Sequence, residues 1–458
     1  MESKVQAADA ATEAGSTALA SANMPGWKKR VAIFMTGQTI SMFGSFLVQY
    51  AILWHLTLTT KSGLVLALAV IFGFVPQAIV SIFAGVWADR VNRRLMIIVS
   101  DSAIALSTLG LALLMLSGVD DLWLIFLVMA VRSIGAGVQM PAVSAMIPQI
   151  VPSDKLMQIN GINSTIQSIM GLVAPVVAAA VYASFSIVSI FFVDVFTAII
   201  GVGMLALIKV PSLDRVKSDE KPSYFADLKD GLNYIFTHDL VRWVMVVFAV
   251  VFLLAVAPSN LSPLFIARNF GTEVWKLTVA EVTFSLGMAL GGALLALFAK
   301  KVNRIAMIIG VSIFFGFVTI GMGLSTNLIV FCILFFVIGV AVPSFYTSAM
   351  TMLQETVEPE RQGRVFGFVG IVIALAMPVG MAVLGPLADV IPIETLFIIC
   401  GIAMVVAASA AALLPAGKRA IAAAHAGVGQ SLDDQNAVVQ TGGTSASSSQ
   451  TPKDQPSD

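Results

Sequence analysis

Four ionisable residues, Asp101, Arg132, Asp194 and Glu281, stand inside long apolar runs, and their types and depths bound the chemistry the chain could do. A charge at the centre of a membrane helix costs about 2.5–3.5 kcal/mol on insertion scales, so such groups call for a reason. Arg132 lies eleven residues past Asp121, about 16 Å along a helix, and Asp194 is comparably deep in its own run. Two readings of this pair stand. One is a structural ion pair between helices. The other is a protonatable carboxylate and a cation facing a water-filled cavity, where protonation is coupled to opening. Glu281, about two turns into its run, either joins that coupling or snorkels to the outer surface.

A second constellation is Gly85-Val-Trp-Ala-Asp89-Arg90-Val-Asn-Arg93-Arg94, a polar knot between two apolar runs. Gly85 and Asp89 are four apart and share one face of a helix end. The glycine admits a close neighbour, and the aspartate sits where that neighbour could end. Arg90, Arg93 and Arg94 fall at headgroup level, which by themselves would make an ordinary positive-inside anchor. Asp101 is expected to pair with Arg90 or Arg94, so that the whole set forms a cytoplasmic latch.

The elements that must hold these groups are membrane helices. Of 458 residues, 58% are hydrophobic and only 11% charged, with a mean hydropathy of +0.93, far from the quarter charged of a soluble domain. Spans of about 20 apolar residues are predicted near 31–54, 64–88, 95–117, 122–143, 157–183, 186–208, 241–267, 277–299, 305–325, 328–350, 365–388 and 393–414. Threading them in alternation places nearly all Lys and Arg on one side, leaving only Lys61, Arg268 and Lys276 on the other. The positive-inside rule then puts both termini in the cytoplasm. The segment from Pro211 to Asp239 reads as a linker carrying an amphipathic helix over Phe225–Phe236.

Two halves look duplicated. Val91-Asn92-Arg93 recurs as Val302-Asn303-Arg304, and Ile134-Gly135 with Ser144-Ala145-Met146 matches Ile338-Gly339 with Ser348-Ala349-Met350. The fold expected is an all-α polytopic membrane protein of twelve transmembrane helices in two pseudo-symmetric six-helix bundles. Its parts are a disordered cytoplasmic tail (1–26), a first bundle (27–208), the linker (209–240), a second bundle (241–415) and a second disordered cytoplasmic tail (416–458). Binding sites in such repeats lie near the midplane between the halves.

Gln38, Gln49 and Tyr50 in the first span and Asn260 in the seventh could supply polar contacts there. Pro258 and Pro263 bracket Asn260 and suit a helix that bends at an outer gate, while Pro175, Pro343 and Pro378 interrupt other spans. The 21 Met and 29 Phe would furnish a pliable apolar cavity. Catalysis has little support. There is no G-x-x-x-x-G-K-[ST], H-E-x-x-H or G-x-S-x-G motif, and His55, His238 and His425 avoid mid-span positions. Cys332 and Cys400 sit singly in apolar runs. No enzyme activity, cofactor or metal is expected.

Placed between the second and third spans, Gly85-x-x-x-Asp89-Arg90-x-x-Arg93-Arg94 resembles the signature loop of the major facilitator superfamily. Within it the chain is similar to drug and siderophore exporters of the macrolide-efflux and enterobactin-exporter type. That likeness is carried by Gly37-Gln38-Thr-Ile-Ser41-Met-Phe-Gly44, Arg132-Ser-Ile-Gly135-Ala-Gly137 and Pro359-Glu-Arg361-Gln-Gly363-Arg364. The resemblance implies that Asp89 latches the start of the eleventh helix near Arg364 in the outward-facing state, and that Arg132 serves proton coupling. Gly161 fits the fifth-helix antiporter motif, whose later part runs to Gly-Pro-x-x-Gly-Gly, but Met170, Ala174-Pro175 and Ala178-Ala179 stand there, keeping the proline and replacing the glycines.

The function expected is a secondary active exporter in the plasma or inner membrane, antiporting protons against lipophilic or amphipathic compounds such as macrolide-like drugs or siderophore-like molecules. Its partners would be a small-molecule substrate, protons or Na⁺, and the lipid bilayer, with no nucleic acid, and it would act as a monomer. An importer or uniporter of a small metabolite is the alternative. A non-transporting membrane receptor or scaffold is the second.

Overall fold

The structure, a computed structural model, describes residues 26–208, 224–298, 303–413 and 418. Among them every extended element is a helix: α1 (Trp27–Thr60), α2 (Gly63–Arg90), α3 (Arg93–Leu116), α4 (Leu122–Ile150), α5 (Leu156–Ser184), α6 (Ile187–Ala206), α7 (Tyr224–Thr237), α8 (Asp239–Leu254), α9 (Val256–Asn260), α10 (Ser262–Asn269), α11 (Val274–Phe298), α12 (Arg304–Gly323), α13 (Leu328–Thr356), α14 (Pro359–Val390) and α15 (Ile393–Leu413). Twelve spans are long and apolar enough to cross a membrane, with α8–α10 forming the seventh and α7 the amphipathic linker helix. Several helices outrun their apolar stretches, because polar ends reach into the headgroup layer without breaking the backbone ladder. The expected tails lie outside the described residues, apart from Gly26 and Lys418.

The recurring Val-Asn-Arg has a local cause. Asn92 accepts from Leu95 N at the start of α3, and Asn303 accepts from Ile305 N and Ala306 N at the start of α12, so in each half the asparagine caps the third span. The arginine that follows ties that span to the next: Arg93 donates to Ala145 O on α4 at 3.0 Å, and Arg304 bonds Glu355 on α13. Prolines act unequally. Pro175, Pro343 and Pro378 lie inside continuous helices rather than interrupting them, since neighbouring helices shelter the one lost hydrogen bond. In the seventh span, with Pro258 and Pro263 five residues apart, the helix does divide into α8, α9 and α10.

Packing repeats from half to half. α1 lies on α5 and α6, α2 on α4, and α3 on α4 and α6; equivalently α8 lies on α14 and α15, α11 on α13, and α12 on α13 and α15. Glycines set the closest crossings: a Cβ on Gly287 would stand 2.2 Å from Phe336 O of α13, and one on Gly137 2.8 Å from Gln77 O of α2. Between the halves the main contacts are α2 with α14 and α5 with α11, again a symmetric pair.

These inter-half contacts close only one end. At the end away from the linker, a Cβ on Gly63 would meet Gly385 O at 2.1 Å, so α2 and α14 touch backbone to backbone. Asp389, at the end of α14, there accepts from Gly63 N (2.7 Å), Leu64 N (2.8 Å) and Ser62 Oγ (2.8 Å), capping the first turn of α2 in the other half. Arg268 of α10 completes the lock, bonding Asp389 at 2.6 Å, Ala388 O at 2.5 Å and Lys61 O at 2.7 Å. At the linker end, by contrast, Gly85 on α2 and Gly363, Gly367 and Gly370 on α14 have open space where a Cβ would go. The described conformation is therefore closed at the far end and parted at the linker end.

A side chain at position 63 should pry the closed end apart. In Gly63→Val, a reporter Ala67→Cys, which sits against Gly385, is expected to react with maleimide several-fold faster than in the parent background; equal rates would show that this crossing does not hold the end shut.

Candidate functional site

Around Asp194 the glycines of α1 come first, because they decide how near two helices can come. A Cβ on Gly44 would fall 2.0 Å from Thr197 Oγ1 and 2.9 Å from Asp194 Cα, and one on Gly201 2.9 Å from Gly37 O. Gly37, Ser41 and Gly44 are buried in this crossing of α1 and α6. The close approach delivers Ser45, whose Oγ donates to Asp194 Oδ1 at 3.3 Å. From α4, Arg132 brings its guanidinium to Asp194 Oδ2 at 2.5 Å, to Thr108 Oγ1 of α3 at 2.5 Å and to Ser45 O at 3.4 Å. Four helices thus meet on one ion pair. Asp194 is 1% exposed and Arg132 12%, so the carboxylate is sealed behind the cation while the cation edges into open space.

That space is a cavity of about 170 Å³ in the first half, with Ser45, Gln49, Gln77, Arg132, Ser133 and Gln139 on its wall. Its counterpart in the second half is about 290 Å³ and nearly all apolar, walled by Phe252, Phe284, Phe315, Phe335, Phe345 and Tyr346. Ring stacking holds that wall together: Phe248 lies 4.4 Å from Phe252, and Phe284 4.7 Å from Phe335, centroid to centroid. The only polar residues of the aromatic cavity are Ser259, Asn260, Thr319 and the Tyr346 hydroxyl, the first two at the break between α9 and α10.

Of the sequence candidates, Gln49 and Asn260 line these cavities, whereas Gln38 is half-buried and lines neither. Tyr50 lies against Trp54 with ring centroids 5.6 Å apart and the planes tilted by 44°, and is within electrostatic reach of Glu281 of α11. Glu281 is half-buried rather than turned out to the surface. Asp101 departs from expectation. Its carboxylate takes the Gln139 amide, not Arg94, which instead donates to Ala206 O on α6. The reason is register: α3 and α4 run antiparallel, so the pair Asp101–Gln139 sits two turns from the pair Thr108–Arg132 along the same seam.

The side chains of Asp89 and Arg90 lie outside the described residues, and Gly85 faces open space. Arg364 is exposed beside the linker helix, its Cβ 3.1 Å from where a Cβ on Gly231 would be. Sequence reasoning missed Gln77, Gln139 and the Arg268–Asp389 lock, and it expected phenylalanines on a cavity without naming which. Asp389, a carboxylate closing an apolar run, was a legible signal.

The sequence profile described as Major Facilitator Superfamily matches residues 34–280 and 261–433. The chain belongs to that superfamily. Within it the chain falls in the drug and siderophore exporter branch: it is 31% identical to macrolide efflux protein A of Streptococcus pyogenes over 82% of this chain and 93% of that protein, and 21% identical to the staphyloferrin A transporter of Staphylococcus aureus over 81% and 93%. In fold it is similar to a bacterial homologue of the iron transporter ferroportin solved in an inward-facing state, with a TM-score of 0.64 at 14% identity over 83% of this chain and 97% of that one. This major facilitator protein is a multi-pass membrane transporter and not an enzyme.

The ion pair yields a stability prediction. Asp194→Ala leaves Arg132 without its counter-charge in a nearly dry site, and should cost about 3–5 kcal/mol. Replacing both partners by apolar residues should cost less, and thermal unfolding of the purified proteins would distinguish a true pair from two independent side chains.

Proposed function

We propose that this transporter is a proton-driven exporter of amphipathic, lipophilic compounds of the macrolide kind. The observation that carries the reading is a pair of cavities, one in each half: amides and one guanidinium on the wall of the first, and a stacked aromatic wall on the second. A molecule with a polar flank and a broad apolar flank matches both. The names of the relatives, macrolide efflux protein A in Streptococcus pyogenes and in Enterococcus faecalis, support the same substrate class.

Alternating access would proceed by rocking residues 27–208 against residues 241–415 about the midplane. The linker end is cytoplasmic on the positive-inside argument, so the described conformation is open inward. Opening outward would break the Asp389–Arg268 lock and bring Gly85 of α2 against the glycine face of α14, where Asp89 could cap that helix near Arg364. Asp194, sealed behind Arg132, is suited to take up a proton when the guanidinium is drawn towards the cavity.

Inverted membrane vesicles carrying the protein test this directly. With an acid interior, accumulation of radiolabelled erythromycin should exceed that in vesicles treated with a protonophore by at least about tenfold. Accumulation that ignores the gradient would instead mark a uniporter, and no flux at all a receptor or scaffold. Asp89→Asn should insert normally yet transport poorly in the same vesicles; full activity would remove the latch from the mechanism.

A further inference from the structure

Arg132 and Asp194 satisfy each other, and so leave Asp101 unexplained. It is 2% exposed in the middle of α3. One carboxyl oxygen accepts from Gln139 Nε2, and the other, Oδ2, has no partner. The helices packed against α3 are α4, α6 and, at its start, α2. On α4 the only charged residue is Arg132, on α6 it is Asp194, and on α2 Asp89 and Arg90 occupy the last two positions. Arg132 is committed to Asp194, and Asp194 acts on Asp101 as a like charge. On α3 itself, Arg93 reaches the Ala88 and Ala145 carbonyls and Arg94 the Ala206 carbonyl. Among the described residues no cation stands against the Asp101 carboxyl.

An ionised carboxylate there would give up its hydration for a single amide hydrogen bond, at a cost that protonation removes. Asp101, Arg132 and Asp194 together hold one positive charge and two acids, so the set is neutral when it keeps one proton. With Arg132 on Asp194, that proton belongs to the other acid. We propose that Asp101 is a second proton-binding site of the transport cycle, holding its proton on Oδ2 in the inward-open state, one hydrogen bond behind the polar cavity. Gln139 is the connection, since it both donates to Asp101 and lines that cavity. Loss of the proton breaks the Oδ2–H bond, passes H⁺ to cavity water, and leaves an anion that the Gln139 amide alone must hold. This inference rests on the proton-driven reading above.

The test uses the full-length protein in proteoliposomes, with erythromycin as probe and Asp101→Asn as a mimic of the protonated acid. Exchange of erythromycin at equal pH on both sides should persist, while accumulation driven by a pH gradient should fall at least about tenfold, and Asp101→Glu should recover part of it. Gradient-driven accumulation undiminished in Asp101→Asn overturns the proposal. So does loss of exchange as well in a variant that still folds, which would make the residue structural. Should Asp101→Asn fail to fold, Gln139→Leu serves: removing the only donor disfavours the anion, so the pH midpoint of driven transport should move upward, and an unmoved midpoint overturns the proposal. A wild-type protein indifferent to the gradient would sink the proton-driven reading itself, a result separate from any of these.

Discussion

The cost of keeping charge away from water governs this molecule. Arg132 and Asp194 can stay at mid-membrane depth only because α1 and α6 come close enough for Ser45 to help, and because Thr108 of α3 takes another guanidinium hydrogen. That closeness in turn requires Gly44, whose missing side chain is where Thr197 now sits. Much of the first bundle's core geometry thus follows from one ion pair. Among the described residues the second bundle has no such pair at its centre and lines its cavity with stacked phenylalanines, so two halves of one repeated pattern present chemically opposite walls.

The same accounting explains how the ends differ. Closing an end means burying backbone against backbone, and polar groups freed by the closure must find partners. At the far end Asp389 meets that demand by capping α2 from the opposite half, with Arg268 offsetting the carboxylate. At the linker end the corresponding faces, rich in glycine, stand apart.

Membrane helices, their number and the division at Pro258 and Pro263 were legible in the chain, since span length and missing backbone donors are local properties. So was the place of Arg132 and Asp194 well inside their helices, which follows from the length of the apolar runs alone. The polar candidates of α1 were only partly legible. Gln49 and Gln38 lie eleven residues apart, close to one face of an ideal helix, yet only Gln49 reaches a cavity. Where along the helix the cavity opens depends on where α2 and α4 spread apart.

What the sequence by itself determined was which residues are costly in a membrane and how deep each must lie, because hydropathy and helical rise act within one element. What only the tertiary structure decided was who answers each cost. Asp101 faces Gln139 instead of Arg94 because two antiparallel helices settled into a register, and Asp389 caps a helix that begins 326 residues earlier because two bundles closed on one side. Partners across helices are chosen by packing that no single stretch of chain encodes, which is why the ionisable residues could be found in the sequence while their pairings could not.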